Sequence, residues 1–392
     1  MREMDFSEEN VGNRWLGVKD FWSLMHGEVR GYIKRHLEAV LRVELSWRLG
    51  CERYQRSRDR CGYRNGSYAR DLLTTYGWIE SVSVPRPRAG GVESAVLAKY
   101  RRRQGAVDRV LLEAFLLGHA TRKVRQLCRR VFGAELSAQG VSNIVKKLDG
   151  EVAAFHRRRL EGRYRFVYLD GIWMTLSRPV KVKKVLLVAL GVRPDGVKEV
   201  LGFQVSSGES ESCWWGFVLD LKERGLSGPE LIITDGATGL MKAVTALYPR
   251  VPHQRCSLHK VLDLQGYLAT PGHWRHLQAD ALHIFEAATE TEARTRLKIF
   301  TARWSNREPR AVRVFHRDID QCLVYLRFPS ALHQSLRTTN PIDRYLQEIR
   351  RRTIPMRSFN NPASIERIAY GLIAYVLNHQ PDMPMTQFTQ NP

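Results

Sequence analysis

A mixed α/β protein is predicted, with a mainly helical, basic N-terminal region joined to an open sheet flanked by helices. Three observations predict it. The first 160 or so residues carry helical spacing broken by one short β-prone stretch. Residues 163–260 change to apolar runs of strand length separated by turn signals. From about 266 to 335 helical texture returns with no strand pattern.

Composition bounds the rest. A chain of 392 residues, 43% hydrophobic, can bury two or three cores. Lys and Arg number 62 against 40 acidic residues, a formal charge of +22, and the pI is about 10.1. Such a surface attracts polyanions, and nucleic acid is the expected partner; a ribosomal or heparin-type surface binder is the bland alternative. Six cysteines lie scattered without a CxxC pair; no spacing suggests a disulfide framework or a complete zinc site, and a reducing compartment is expected. The N-terminus lacks the order of a signal peptide, and the longest apolar runs reach about eight residues where a bilayer needs about 20. A cytoplasmic protein without a membrane contact is expected.

In the N-terminal region, Asp71–Val84 reads as a hairpin turning near Gly77, closed by Pro85-Arg86-Pro87-Arg88 and a Gly90-Gly91 loop. Upstream, Arg53, Arg56, Arg58, Arg60, Arg64 and Arg70 interleave with Tyr54, Tyr63 and Tyr68, a pairing suited to a phosphate backbone or simply to a solvated basic loop. A helix-turn-helix is expected at about 118–148. Its first helix, Thr121–Val131, has the stripe Val124, Leu127, Cys128 and Val131. Gly133 stops that helix, and Ser137 caps a second, Ala138–Leu148, with core face Val141, Ile144, Val145 and Leu148. The remaining positions offer Gln139, Ser142, Asn143, Lys146 and Lys147 to base edges and phosphates.

In the α/β region, Arg165–Thr175 reads as a strand carrying Asp170. Val185–Val192 and Lys198–Val205 follow as strands about the turn Arg193–Gly196, then a helix over Ser212–Arg224, then a buried strand ending in Asp235. Three strands in a meander, a helix and a fourth strand is the order of a ribonuclease-H-like sheet. The expected organisation is a DNA-binding region over 1–160, a catalytic core over 161–265 and 336–380, a helical insertion over 266–335, and a tail over 381–392.

Transfer of a phosphodiester is well served by two Mg²⁺ (or Mn²⁺) ions, hard cations that want carboxylate oxygens inside a basic surface. Asp170 and Asp235, each followed by glycine, sit on strands expected to be adjacent. An aspartate within Phe166-Val-Tyr-Leu-Asp170 is costly unless paired or metal-bound; a strand-end turn residue is the bland alternative. A third ligand would come from the helix beginning Asn340-Pro341, with Asn340 as N-cap and core stripe Ile342, Tyr345, Leu346 and Ile349. Asp343 and Glu348 flank that stripe from its two sides, and spacing alone does not choose between them. Arg350, Arg351 and Arg352 suit phosphates or a solvated basic helix end.

Several segments taken together resemble the bacterial insertion-sequence transposases of the Mutator type, over nearly the whole chain. They are Arg70–Thr74 with Val84-Pro85-Arg86; Leu169-Asp170-Gly171; Gly196–Gly202; Thr234-Asp235-Gly236; Gln254–Lys260; and Thr338–Ile342 with Glu348–Thr353. The resemblance implies DDE chemistry on double-stranded DNA: 3′ ends are freed at the terminal inverted repeats and joined to target DNA, by a homodimer or larger assembly associated with the nucleoid. It makes Asp170 and Asp235 the first two metal ligands, and the family's usual glutamate falls on Asp343. That departure leaves room for a catalytically impaired copy that only binds DNA, or for Glu348 as substitute. Cys256 and His259 match a Cys-x-x-His pair of the family and are expected to shape the site as a structural pair.

Overall fold

The computed structural model describes residues 18–89, 94–97, 101–177, 180–356 and 358–377. The expected Gly90-Gly91 loop and the tail 381–392 lie outside them. The chain divides into two compact units, Met1–Phe115 with His119–Ile144, and Leu116–Gly118 with Val145–Pro392.

The first unit is built on a long helix, α1 (Val18–Leu49), and a hairpin of β1 (Arg64–Thr74) and β2 (Gly77–Pro87). The chain reverses at Thr75-Tyr76, and Gly77 takes the left-handed φ of +100° that the reversal requires. The Thr74 hydroxyl donates to the Gly77 carbonyl at 2.9 Å. Leu41 of α1 packs with Leu72, Ile79, Val82 and Leu97 in a small core. In the basic stretch, Arg64 is structural: it donates to Ser46 Oγ at 2.8 Å and to the Cys51 carbonyl at 2.9 Å, tying the loop to α1. Arg53, Arg60 and Arg86 lie over the rings of Tyr54, Tyr63 and Tyr68 at 4.3–5.0 Å.

Three helices follow: α2 (Gly105–Leu116), α3 (Thr121–Phe132) and α4 (Ala138–Val145). Gly133 caps α3 at φ +64°, and Ser137 Oγ accepts the Gly140 amide at 3.0 Å, as the sequence suggested. One position needs correction. Val131 is 57% exposed, and Phe132 takes its place in a buried row with Val124 and Cys128, because the inward face follows the i, i+4, i+8 line. Val141, Ile144, Val145 and Leu148 are buried; Gln139, Asn143, Lys146 and Lys147 are exposed and Ser142 is half-buried.

The second unit holds a five-stranded mixed sheet, ordered β5-β4-β3-β6-β7. β3 (Phe166–Leu176), β4 (Val182–Val192) and β5 (Lys198–Ser206) form the antiparallel meander; β6 (Leu231–Thr234) and β7 (His253–Arg255) add in parallel. On one face, α6 (Glu211–Glu223) and α7 (Thr238–Leu247) bring Trp214, Phe217, Leu221, Leu240 and Val244 onto Val167, Leu169, Leu187 and Ile232. α5 (Asp149–Arg157) belongs to this unit, tied by Arg367 to Asp149 at 3.0 Å. After β7 come α8 (Ser257–Asp263), α9 (Trp274–Ile284), α10 (Glu290–Trp304), α11 (Pro309–Arg317) and α12 (Ser330–Leu336), with short 3₁₀ turns between. Then α13 (Asn340–Thr353) packs on β3, and α14 (Pro362–Gly371) follows.

Candidate active site

Parallel pairing fixes the first two acids. Thr234, the last residue of β6, pairs with Leu169 of β3, so Asp170 and Asp235 come next on neighbouring strands. Asp170 stays within β3, opposite Val188 of β4, and its Oδ1 accepts the Gly171 amide at 2.7 Å. Asp235 has left the sheet, and its Oδ1 accepts the Ala237 amide at 2.9 Å in a turn that leads into α7. α13 brings the third acid. Its N-cap is Thr339, one residue before the expected Asn340, and the Thr339 carbonyl accepts the amides of Ile342 and Asp343 at 2.9 and 3.0 Å. Asp343 therefore sits in the first turn, where the amide dipoles favour a carboxylate.

Asp170 feels the other two acids. Burial first, then the charges of Asp235 and Asp343, push the Asp170 carboxyl up to about 7, against the pull of the Gly171 amide and of His259. Glu209, in the link between β5 and α6, is also raised, by burial and then by Asp235, while a hydrogen bond from Trp173 works the other way. Among the described residues no three His, Cys, Asp or Glu side chains stand close enough together to hold a metal ion. The carboxylates thus converge in charge without forming a closed ligand set. Their oxygens are the donors that Mg²⁺ and Mn²⁺ take, and Mg²⁺ commonly binds through one or two carboxylates, completing its shell with water and substrate phosphates. In that chemical sense the residues fit.

Cys256 and His259 lie beside the acids. Burial raises the Cys256 thiol, yet its hydrogen bond and charge interaction with His259 outweigh that and lower it. The hydrogen bond to Cys256 lifts the imidazole to about 9, aided by the charges of Asp170 and Asp235. Buried Thr339 ties the group together: its hydroxyl oxygen is 3.6 Å from Cys256 Sγ, 3.5 Å from His259 Nδ1 and 3.3 Å from Asp343 Oδ2. Two of the four ligands of a structural zinc are present, and the pair sits at the start of α8 with the Thr339 hydroxyl, at the start of α13, beside both.

The chain matches the family described as "Transposase, Mutator family" over residues 18–380. It belongs to the Mutator family of transposases. The transposase for insertion sequence element ISRM5 of Rhizobium meliloti is 32% identical over 356 residues, covering 91% of this chain and 89% of the relative. That for IS406 of Burkholderia multivorans is 34% identical over 337 residues, covering 85% and 86%. That for IS256 in transposon Tn4001 of Staphylococcus aureus is 30% identical over 319 residues, covering 80% and 81%. The catalytic domain of Mos1 mariner transposase covers 48% of this chain and 92% of its own at 14% identity, with a TM-score of 0.18, too loose a superposition to bear on the fold.

Other residues singled out in this Mutator-family chain lie apart from the acids. Glu348 is ion-paired with Arg351 at 2.9 Å and with Arg352. Arg352 is buried, so it braces α13 instead of presenting its guanidinium to a phosphate; Arg350 and Arg351 are exposed. On α4 the Gln139 amide donates to Asn143 Oδ1 at 2.8 Å, and that bond must open for either to meet a base edge. Reading the sequence missed Thr339 and Glu209. The signal for the first was a threonine beside Asn340-Pro341; no spacing marked the second.

Gly236 makes the turn after Asp235 possible. Its φ is +90°, and a Cβ there would lie 2.2 Å from Arg255 Nε, whose guanidinium is fixed by Asp263 at 2.5 Å and Asp318 at 3.0 Å. Gly236→Ala is expected to destabilise the protein by about 2 kcal/mol or more, seen as a lower urea midpoint at unchanged slope.

Proposed function

We propose that this chain is a DDE-type DNA transposase with a ribonuclease-H-like core, in which Asp170, Asp235 and Asp343 hold divalent metal. The observation that carries this reading is that Asp235, just past the end of β6, and Asp343, in the first turn of α13, both act on Asp170 of β3, in a chain of charge +22. Membership of the Mutator family and the sheet order, a meander followed by two parallel strands, support it. Magnesium or manganese, when bound, activates the attacking oxygen and stabilises the leaving one. The protein's own part is to hold carboxylates ready, to keep His259 positive beside them, and to bind the DNA backbone. The basic stretch before the hairpin, the exposed side of α4 and Arg350 with Arg351 suit phosphate contact. The DNA is double-stranded: the element's terminal inverted repeats and a target, brought together by a homodimer or larger assembly at the nucleoid. No helix among the described residues is long and apolar enough to cross a membrane.

A second reading is a copy that binds DNA and no longer cuts it. Two observations favour it: aspartate stands at 343 where the resemblance expects glutamate, and no three ligands stand close together as placed. Nicking of a labelled duplex carrying the element's own ends separates the two. The active reading expects nicks with Mg²⁺ or Mn²⁺ that vanish with chelator and are absent on scrambled ends. Binding that prefers the ends, with no nick under either metal, would establish the second reading instead.

A further inference from the structure

We propose that the outward face of α1 is where two copies of this chain pair, helix against antiparallel helix; this names a surface for the homodimer of the proposed function and rests on that part of it alone. α1 carries two apolar stripes. Ile33, Leu37, Leu41 and Leu45 follow at steps of four and face the small cores of their own unit. The second stripe, Trp22, Met25, Val29, Tyr32, His36, Ala39 and Val43, advances by alternating steps of three and four. At about 100° per residue it lies roughly half a turn from Leu41. Val29 is half-buried and the rest are exposed; Val43 is 65% exposed and Trp47, one turn on, 90%. Between residues 21 and 47 every Asp, Glu, Lys and Arg falls outside the sector of this stripe. Among the described residues, 21–28 are exposed on every side of the helix, and they include Ser23 and Gly27, modest and poor helix formers. An unpacked stretch of this kind is marginal in water, so its helicity calls for a partner.

The partner that fits is the same helix. Alternating steps of three and four are the repeat of helices that wind about one another, and here the repeat complements itself. An antiparallel two-fold pair that sets Val29 opposite the partner's Tyr32 also sets Met25 opposite the partner's His36. Trp22 then meets the partner's Ala39, large against small. The charges at the rim agree with this register. Glu28, beside the stripe, meets the partner's Arg35, and by symmetry Arg35 meets the partner's Glu28. Neither has an ion-pair partner among the described residues. A parallel pair would set Glu28 against the partner's Ile33 and Arg35 against the partner's Val40, with no such match. DNA does not suit this face, which offers no Lys or Arg to a phosphate.

The test is sedimentation of the full chain at micromolar concentration without DNA. Wild type should be a dimer, and Met25→Glu, which places a charge in the middle of the face, should raise the dimer Kd at least about a hundredfold. Ile299→Glu, at an exposed position on α10, should pair as wild type does. Glu28→Arg and Arg35→Glu should each raise the Kd about tenfold, since each sets like charges together twice. Mixed in equal amounts, these two chains should form a mixed dimer about as tight as wild type, because both ion pairs return between the chains. Misfolding does not produce such a rescue, so the mixing experiment decides alone should Met25→Glu fail to fold. Met25→Glu as dimeric as wild type would overturn the proposal. So would single reversals that gain nothing on mixing, and so would a monomeric wild type. In that last case, pairing on a duplex carrying the element's ends would leave the homodimer of the proposed function standing without this surface. Loss of end binding by a monomeric Met25→Glu beside a monomeric wild type would make DNA the occupant of the face instead.

Discussion

Replacing Asp170 with Asn is expected to reduce strand cleavage by about a thousandfold or more, roughly 4 kcal/mol of barrier, and to stabilise the metal-free protein at the same time. The first effect follows from removing a carboxylate from the centre of the cluster. The second follows from its raised pKa. Folding lifts the Asp170 carboxyl from the ordinary 3.8 to about 7. Between those values the folded chain holds a proton that the unfolded chain has released, so stability falls as pH rises through that window and stays low above it. Asn has no charge to bury. The whole shift would correspond to about 4 kcal/mol, and relaxation and water entry reduce that to about 1–2 kcal/mol. Urea unfolding at pH 8 should therefore favour Asp170→Asn, with the advantage shrinking toward pH 4. Equal stability at pH 8 would mean that folding does not disfavour the charged Asp170 carboxylate, by burial or by its neighbours. DNA affinity and its dependence on salt should stay as in wild type, because the role proposed for Asp170 is to hold metal and not to meet the phosphates that release counterions. Cutting and affinity lost together would show that the carboxylates also shape the DNA-binding surface.

Asp343 should give the next largest effect. Asp343→Ala is expected to lower nicking by about a hundredfold or more, since it removes one of the charges acting on Asp170. Asp343→Glu is expected to cut several times faster than wild type. The added methylene extends the carboxylate by about 1.5 Å, and α13 is held on β3 by its own buried stripe, so the helix need not move. The measurement is nicking of duplexes carrying the element's ends, with Mg²⁺ and with Mn²⁺. A silent wild type beside an active Asp343→Glu would identify this chain as a disabled copy. An Asp343→Ala variant as active as wild type would remove residue 343 from the site, and with it the role proposed for α13.

What the sequence made legible was whatever carries its own local signature. The hairpin was readable because Gly77 sits between two alternating runs, and β3 because Phe166–Leu169 leads into an aspartate. The helix start at Asn340-Pro341 was readable to within one residue; the cap proved to be Thr339, whose hydroxyl is engaged across the fold by His259 and Asp343. β7 is three residues long and pairs on one side, too short for any period to register, and α7 was hidden behind the apolar strand that precedes it. Val131 and Phe132 could not be told apart by spacing, since the choice depends on which way the helix rolls against its neighbours. Glu209 had no signature at all. It comes near Asp235 only because β5 ends level with Trp173 and the next residues turn back over Gly171.

The acids arise in the order 170, 235 and 343, with six helices, α7 to α12, made between the last two. On the ribosome, at about 5–20 residues per second, α13 follows β3 by roughly 10–35 s. For that interval a nascent chain can carry its basic N-terminal region and its first two acids while lacking the third. Any product that terminates early, through a stalled ribosome or a nonsense codon, is left in the same condition. Under the proposed function, such fragments would compete for the element's ends without breaking them, so premature termination would act as a brake on transposition.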